Sequence, residues 1–103
     1  MNSERIKMLK QFIADDPSDP FNHYALALEL MKSDKEQAMK IFDQLISSHP
    51  DYVPSYYQAA LLHIELSLND EATKIIEQGM DEAKKQNNLK TMNELRSLLD
   101  ETD

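Results

Sequence analysis

Apolar residues recur along this chain at helical spacing in six stretches, each ended by a short polar turn. Ile6, Leu9 and Ile13, widened by Met8 and Phe12, predict a first helix from Ser3 to about Asp15. Asp15-Asp16-Pro17-Ser18-Asp19 ends it, because proline disfavours helix in the residue before it. Asp19 then suits an N-cap, with Pro20 at the first helical position, where a missing N–H costs nothing. The second helix is expected from Pro20 to about Lys32 and carries Phe21, Tyr24, Ala25 and Leu28, with Ala27, Leu30 and Met31 on a neighbouring face. Ser33 and Glu36 have capping-box spacing before the third helix, whose stripe is Ala38, Ile41, Phe42, Leu45 and Ile46. That helix closes at Ser47-Ser48-His49-Pro50, which makes His49 a turn residue at a helix C-terminus.

The fourth stretch, Pro54–Leu68, is apolar nearly all round, with only Gln58, His63 and Glu65 interrupting it. A helix of that kind is enclosed on several sides, and this one is shorter than the roughly 20 residues a bilayer span needs. It is therefore expected as the middle layer of a helical stack. A fifth helix repeats a one-sided stripe with Ala72, Ile75, Ile76, Gly79, Met80 and Ala83, and Asn87-Asn88 breaks it. Leu89, Met92, Leu95 and Leu99 predict a sixth, fraying into Asp100-Glu101-Thr102-Asp103. No stretch reads as a strand, and helices joined by such short turns alternate in direction.

Composition narrows this all-α reading. The 103 residues suffice for one domain with its own core, and a single glycine argues against tight hairpins and against a phosphate-cradling loop. A net charge of −8, with no basic stripe, argues against nucleic acid and against an anionic membrane surface as partners. Without cysteine there is no disulfide framework and no thiolate chemistry. The opening MNSERIKMLKQF is charged from its fourth residue, unlike a signal peptide, so a cytoplasmic location is expected.

Shifting the chain by 34 residues aligns it with itself. Pro20 meets Pro54, Ala25 meets Ala59, Ser33 meets Ser67, Ala38 meets Ala72, Ile41 meets Ile75 and Gln44 meets Gln78, without a gap. The matches cover two helices and their turn, and the period is that of a helical-hairpin repeat. With these residues the chain resembles the tetratricopeptide repeat family. The resemblance implies a right-handed α-α superhelix of six helices. Residues 1–16 would form an N-terminal helix, 19–52 and 53–86 the two repeats, and 88–100 a C-terminal cap, all within a single domain 1–103. The family's bulky aromatic, small residue, alanine and large apolar residue fall to Tyr56, Ala60, Ala72 and Ile76 in the second repeat, with Gly79 at the later small position. In the first they fall to Phe21, Ala25, Ala38 and Phe42, with Pro50 closing the unit. Leu45 departs from the pattern where a small residue is usual, and Phe21 and Ala25 sit one position early, which implies a rotated second helix or a longer turn.

The resemblance further implies a groove, lined by the first helix of each repeat, that binds a peptide of a protein partner. Its residues here would be His23, Ala27, Leu30 and Met31 on the second helix and Tyr57, Gln58, Leu61, Ile64 and Glu65 on the fourth. Tyr57 is the aromatic anchor of that surface, and His23, Gln58 and Glu65 supply polar contacts. Two readings of the stripe stand open: a peptide-binding surface, or core covered by the sixth helix or by a second copy. The sixth helix likewise either caps the fifth or pairs with another helix in a homodimer, so a monomer and a self-assembling subunit both remain. The carboxylate-gripping variant of the family is not matched, since the fourth helix has no basic residue and the second has only Lys32. No catalytic residue, cofactor or metal site is expected: His23, His49 and His63 are scattered, and no pair has the i, i+4 spacing of a helical metal site.

Overall fold

The computed structural model describes residues 3–102. Among them are six helices, α1 (Ser3–Asp15), α2 (Pro20–Leu30), α3 (Lys35–Ser48), α4 (Pro54–Glu65), α5 (Asn69–Lys85) and α6 (Leu89–Leu98), then a 3-10 turn at Leu99–Thr102, and no strand. They group into two compact units, Met1–His49 and Pro50–Asp103. α2 and α4 begin 34 residues apart, and so do α3 and α5, so the repeat in the sequence is also a repeat of helix boundaries. The turn before the second helix is therefore not longer by one residue.

Several helix ends have a visible cause. The Asp19 carboxylate accepts the Phe21 N–H at 3.0 Å, with Pro20 opening α2 as its sequence position implies. The expected capping box at Ser33 is replaced by Asp34, whose carboxylate accepts the Gln37 N–H at 3.1 Å. A carboxylate beside the positive end of a helix is favoured over a hydroxyl one residue further out. Asn88 caps α6 in the same way, through the Thr91 N–H. α4 ends at Glu65, short of the expected Leu68. Ser67 adopts φ 63°, and the Leu68 N–H reaches back to the His63 carbonyl at 2.7 Å. Asn87, at φ 56°, ends α5 likewise, with the Asn88 N–H on the Ala83 carbonyl. In a chain with one glycine, serine and asparagine take the left-handed position that closes a helix. α2 stops at Leu30 rather than Lys32, where the Ser33 and Asp34 N–H groups both turn back onto the Leu30 carbonyl.

In the first unit α2 packs against both α1 and α3. Leu9, Ala25 and Leu26 form a buried cluster flanked by Ile6, Ile13, Leu30 and Ile41. Tyr24 meets Phe42 edge to face, with ring centroids 5.7 Å apart. Phe21, the aromatic expected to pack in this repeat, is instead 59% exposed. The strict 34-residue register explains the difference. Leu26 is buried as its counterpart Ala60 is, which places Asn22, not Phe21, where the second repeat has Tyr56. Glu29 is buried, and its carboxylate lies 3.4 Å from the Arg5 guanidinium of α1 and 3.3 Å from the Lys32 ammonium.

In the second unit α6 packs on both α4 and α5. Tyr56, Ala59, Ala60, Leu62, Ile76 and Leu95 have no exposed surface. Gly79 belongs to this contact by necessity: a Cβ there would stand 2.7 Å from Tyr56 Cβ and 2.8 Å from Leu95 Cδ1. On α6 the structure buries Leu95 and Leu98 and leaves Leu89 63% exposed, so the inward stripe differs from the expected one at both ends.

Candidate functional site

The nine residues expected to line a groove fall on two helices, one in each unit. On α2 they are unevenly placed. Ala27 is fully buried and has no surface to offer a ligand. Leu30 is half-buried against the Leu9–Ala25–Leu26 cluster, and Met31 is half-buried at the helix end. His23 is half-buried, and its Nε2 lies 2.8 Å from the Pro17 carbonyl. A carbonyl only accepts, so Nε2 carries the proton of that contact.

α4 carries the more coherent face. Tyr57, Leu61 and Ile64 lie at i, i+4 and i+7, on one side of the helix. All three are half-buried, while their neighbours Tyr56, Ala59, Ala60, Leu62 and His63 are buried. Gln58 is half-buried beside them and Glu65 is exposed. His63, polar in the sequence pattern, belongs to the interior: it is buried, with Nδ1 2.7 Å from the Ala59 carbonyl one turn earlier. That bond satisfies a polar group the apolar core would otherwise penalise.

Tyr56 anchors the opening of this hairpin. Its hydroxyl donates to the Pro50 carbonyl at 2.6 Å, and the Gln78 amide donates to the same oxygen at 3.4 Å. Gln86 ties down the adjoining segment through the Asp51 carbonyl at 2.7 Å. Burial raises the Tyr56 phenol above its usual range, the negative charges of Glu82 and Asp51 add to the rise, and the Gln78 hydrogen bond opposes it.

The first unit holds a cleft that the sequence pattern did not announce. It has a volume of about 240 Å³ and is lined by Pro17, His23, Ile41, Gln44, Leu45 and His49. Two histidines hold one edge, since His49 Nε2 sits 2.9 Å from the Ser18 carbonyl, next to the carbonyl that His23 holds. His49 is the C-cap of α3, the turn position expected for it. Among the described residues no group of three His, Asp or Glu side chains is placed to hold a metal ion, and no helix is long and apolar enough to cross a membrane.

Paired antiparallel helices repeating at 34 residues define a helical-hairpin repeat protein. A tetratricopeptide repeat model matches residues 23–52. The solution structure of a tetratricopeptide repeat domain protein from Salinibacter ruber is 35% identical, with a TM-score of 0.79, and the match covers 85% of this chain and 90% of that one. A crystal structure of a tetratricopeptide repeat domain protein from the same organism is 33% identical over 82% of this chain and 96% of the other, with a TM-score of 0.78. No curated protein matches the chain. The chain belongs to the tetratricopeptide repeat family. Its fold is that of an interaction or scaffold module.

Proposed function

We propose that this protein is a non-catalytic adaptor whose α4 face binds an apolar or amphipathic peptide segment of a protein partner. One observation carries the reading. Tyr57, Leu61 and Ile64 form an apolar stripe that stays half-exposed on a helix whose other apolar positions are closed. A rigid helix with a buried back presents such a stripe at little entropic cost, and tyrosine is the residue type most suited to anchor a contact. Gln58 and Glu65 flank the stripe and would orient the bound segment. On α2, His23, Leu30 and Met31 are the residues of the expected set with surface left for contact, and Ala27 acts only by letting helices approach.

The test is selection of binding peptides on the purified protein, repeated with Tyr57→Glu after checking that helicity is kept. The reading predicts an enriched apolar consensus that the variant no longer retains. Equal enrichment on both proteins, or none on either, would refute it. A second reading, self-assembly through α6, draws support from the exposed Leu89. Burial of Leu95 and Leu98 within the second unit leaves it little further apolar surface. Light scattering separates the two, because a particle of 11.9 kDa excludes the oligomer.

A further inference from the structure

The exposed apolar side chains of the first unit are gathered on one face. Arg5, Met8 and Phe12 follow at i, i+3 and i+7 along α1, and Asp16 continues the row one turn on, its N–H bonded to the Phe12 carbonyl at 3.0 Å. On α2, Phe21 and Leu28 form a second row, continued by Lys32 just beyond the helix end. The two rows lie on the same side of the α1–α2 seam, because the Arg5 guanidinium and the Lys32 ammonium meet on the one Glu29 carboxylate. The helices are joined by a short turn and run antiparallel, so Met8 comes level with Leu28 and Phe12 with Phe21. Met8 is 55% exposed, Phe12 45%, Phe21 59% and Leu28 36%, over a buried Leu9, Ala25 and Leu26.

Charge is ordered along this face. The turn end carries Asp15, Asp16 and Asp19 and no lysine or arginine. The open end carries Arg5 and Lys32 against the single buried carboxylate of Glu29. Glu4 and Lys7, both exposed, stand one turn apart on the outer side of α1 and offset each other. Two copies related by a two-fold axis perpendicular to α1 would meet with this order reversed, Arg5 opposite Asp16 and Met8 opposite Phe12. A two-fold axis along α1 would instead set one acidic turn on the other. We propose that the α1–α2 face is an interface between two copies of this chain, closed by the perpendicular two-fold axis. Its size makes the dimer a weak, reversible one. The 13 residues of α1 run for about 20 Å and the helix pair is about 20 Å wide. Such a face covers about 400 Å² on each copy, short of the roughly 600 Å² per partner at which stable interfaces begin. The face shares no residue with the α4 stripe, so the proposal stands apart from the adaptor reading.

The experiment is sedimentation equilibrium of the full chain from about 10 μM to about 1 mM, a range that brackets an expected Kd of about 0.1 mM. The mean mass should rise from 11.9 kDa toward twice that value. Phe12→Ser combined with Phe21→Ser, both at exposed positions and checked by circular dichroism, should weaken association at least about tenfold. Asp16→Lys, which turns two symmetry-related attractions into repulsions, should weaken it about threefold to tenfold. Leu89→Ser on α6 and Tyr57→Glu on α4 should leave it unchanged. A mass of 11.9 kDa at every concentration would overturn the proposal and leave the face to a different polypeptide. Association that survives the double serine variant, tightens with Asp16→Lys or is lost with Leu89→Ser would overturn it as well.

Discussion

Replacing Gly79 with alanine should destabilise the protein, although alanine is the better helix former. Gly79 is a helical residue without a positive φ, so backbone preference alone favours alanine by about 1 kcal/mol. Against this stands geometry. The new methyl would lie 2.7 Å from Tyr56 Cβ, 2.8 Å from Tyr56 Cγ and 2.8 Å from Leu95 Cδ1. Leu95 Cδ1 can rotate away, but Tyr56 Cβ is fixed to the α4 backbone, and both residues are fully buried. Relief therefore requires α4 and α5 to separate, and overpacking of that kind costs about 1–3 kcal/mol. The hydrogen bond from the Tyr56 hydroxyl to Pro50 would also be pulled out of line. The expected net loss is about 1–2 kcal/mol, a fall in melting temperature of about 5–10 °C for a chain of this size. Thermal and urea unfolding followed by circular dichroism measures it. Gly79→Ala at or above wild-type stability would refute the packing argument and mean that α5 stands off from α4.

Four further outcomes follow from the same contacts. Ser67→Gly and Asn87→Gly should each raise stability by about 0.5–1 kcal/mol in urea unfolding, because both positions hold a left-handed φ that glycine adopts without strain. Arg5→Ala should cost at most about 1 kcal/mol and the loss should shrink in high salt, since Arg5 is half exposed and Lys32 still faces Glu29. Leu95→Ala, which empties a fully buried site beneath α4 and α5, should cost about 2–5 kcal/mol. In an ultraviolet titration, the Tyr56 phenol should ionise above the ordinary tyrosine range. Burial favours its neutral phenol, so the folded chain holds this proton to higher pH than the unfolded chain does. The stability it contributes is intact below about pH 10 and declines as pH rises from there through the raised folded value. Tyr56→Phe should flatten that alkaline decline.

Much of the fold was legible because helix periodicity and the 34-residue shift rest on residue type alone. The N-cap at Asp19, the start at Pro20 and the break at Asn87-Asn88 needed nothing beyond local chemistry. Phe21 misled because a large aromatic near a helix start attracts the role of core anchor, whereas the angular position of each residue around α2 is set by the register of the whole hairpin. Ser33 misled because two adjacent residues could both cap, and only the path of the chain chooses Asp34. His63 read only as a polar interruption of an apolar stretch, since a sequence cannot show that a backbone carbonyl one turn away satisfies its ring. The candidate surfaces divide along the same line. The α4 face follows from spacing, while the first-unit cleft depends on how Pro17, Ile41, Leu45 and His49 come together in three dimensions.

The most direct test of the adaptor reading is a photo-crosslinking residue placed at position 57 in the native cell, with the exposed Lys74 of α5 as the control position. The account predicts a covalent adduct with a segment of a different polypeptide at position 57 and none at position 74. Adducts only within the chain, or only with another copy of it, would contradict the proposal and make the α4 stripe part of a core or of a self-association surface.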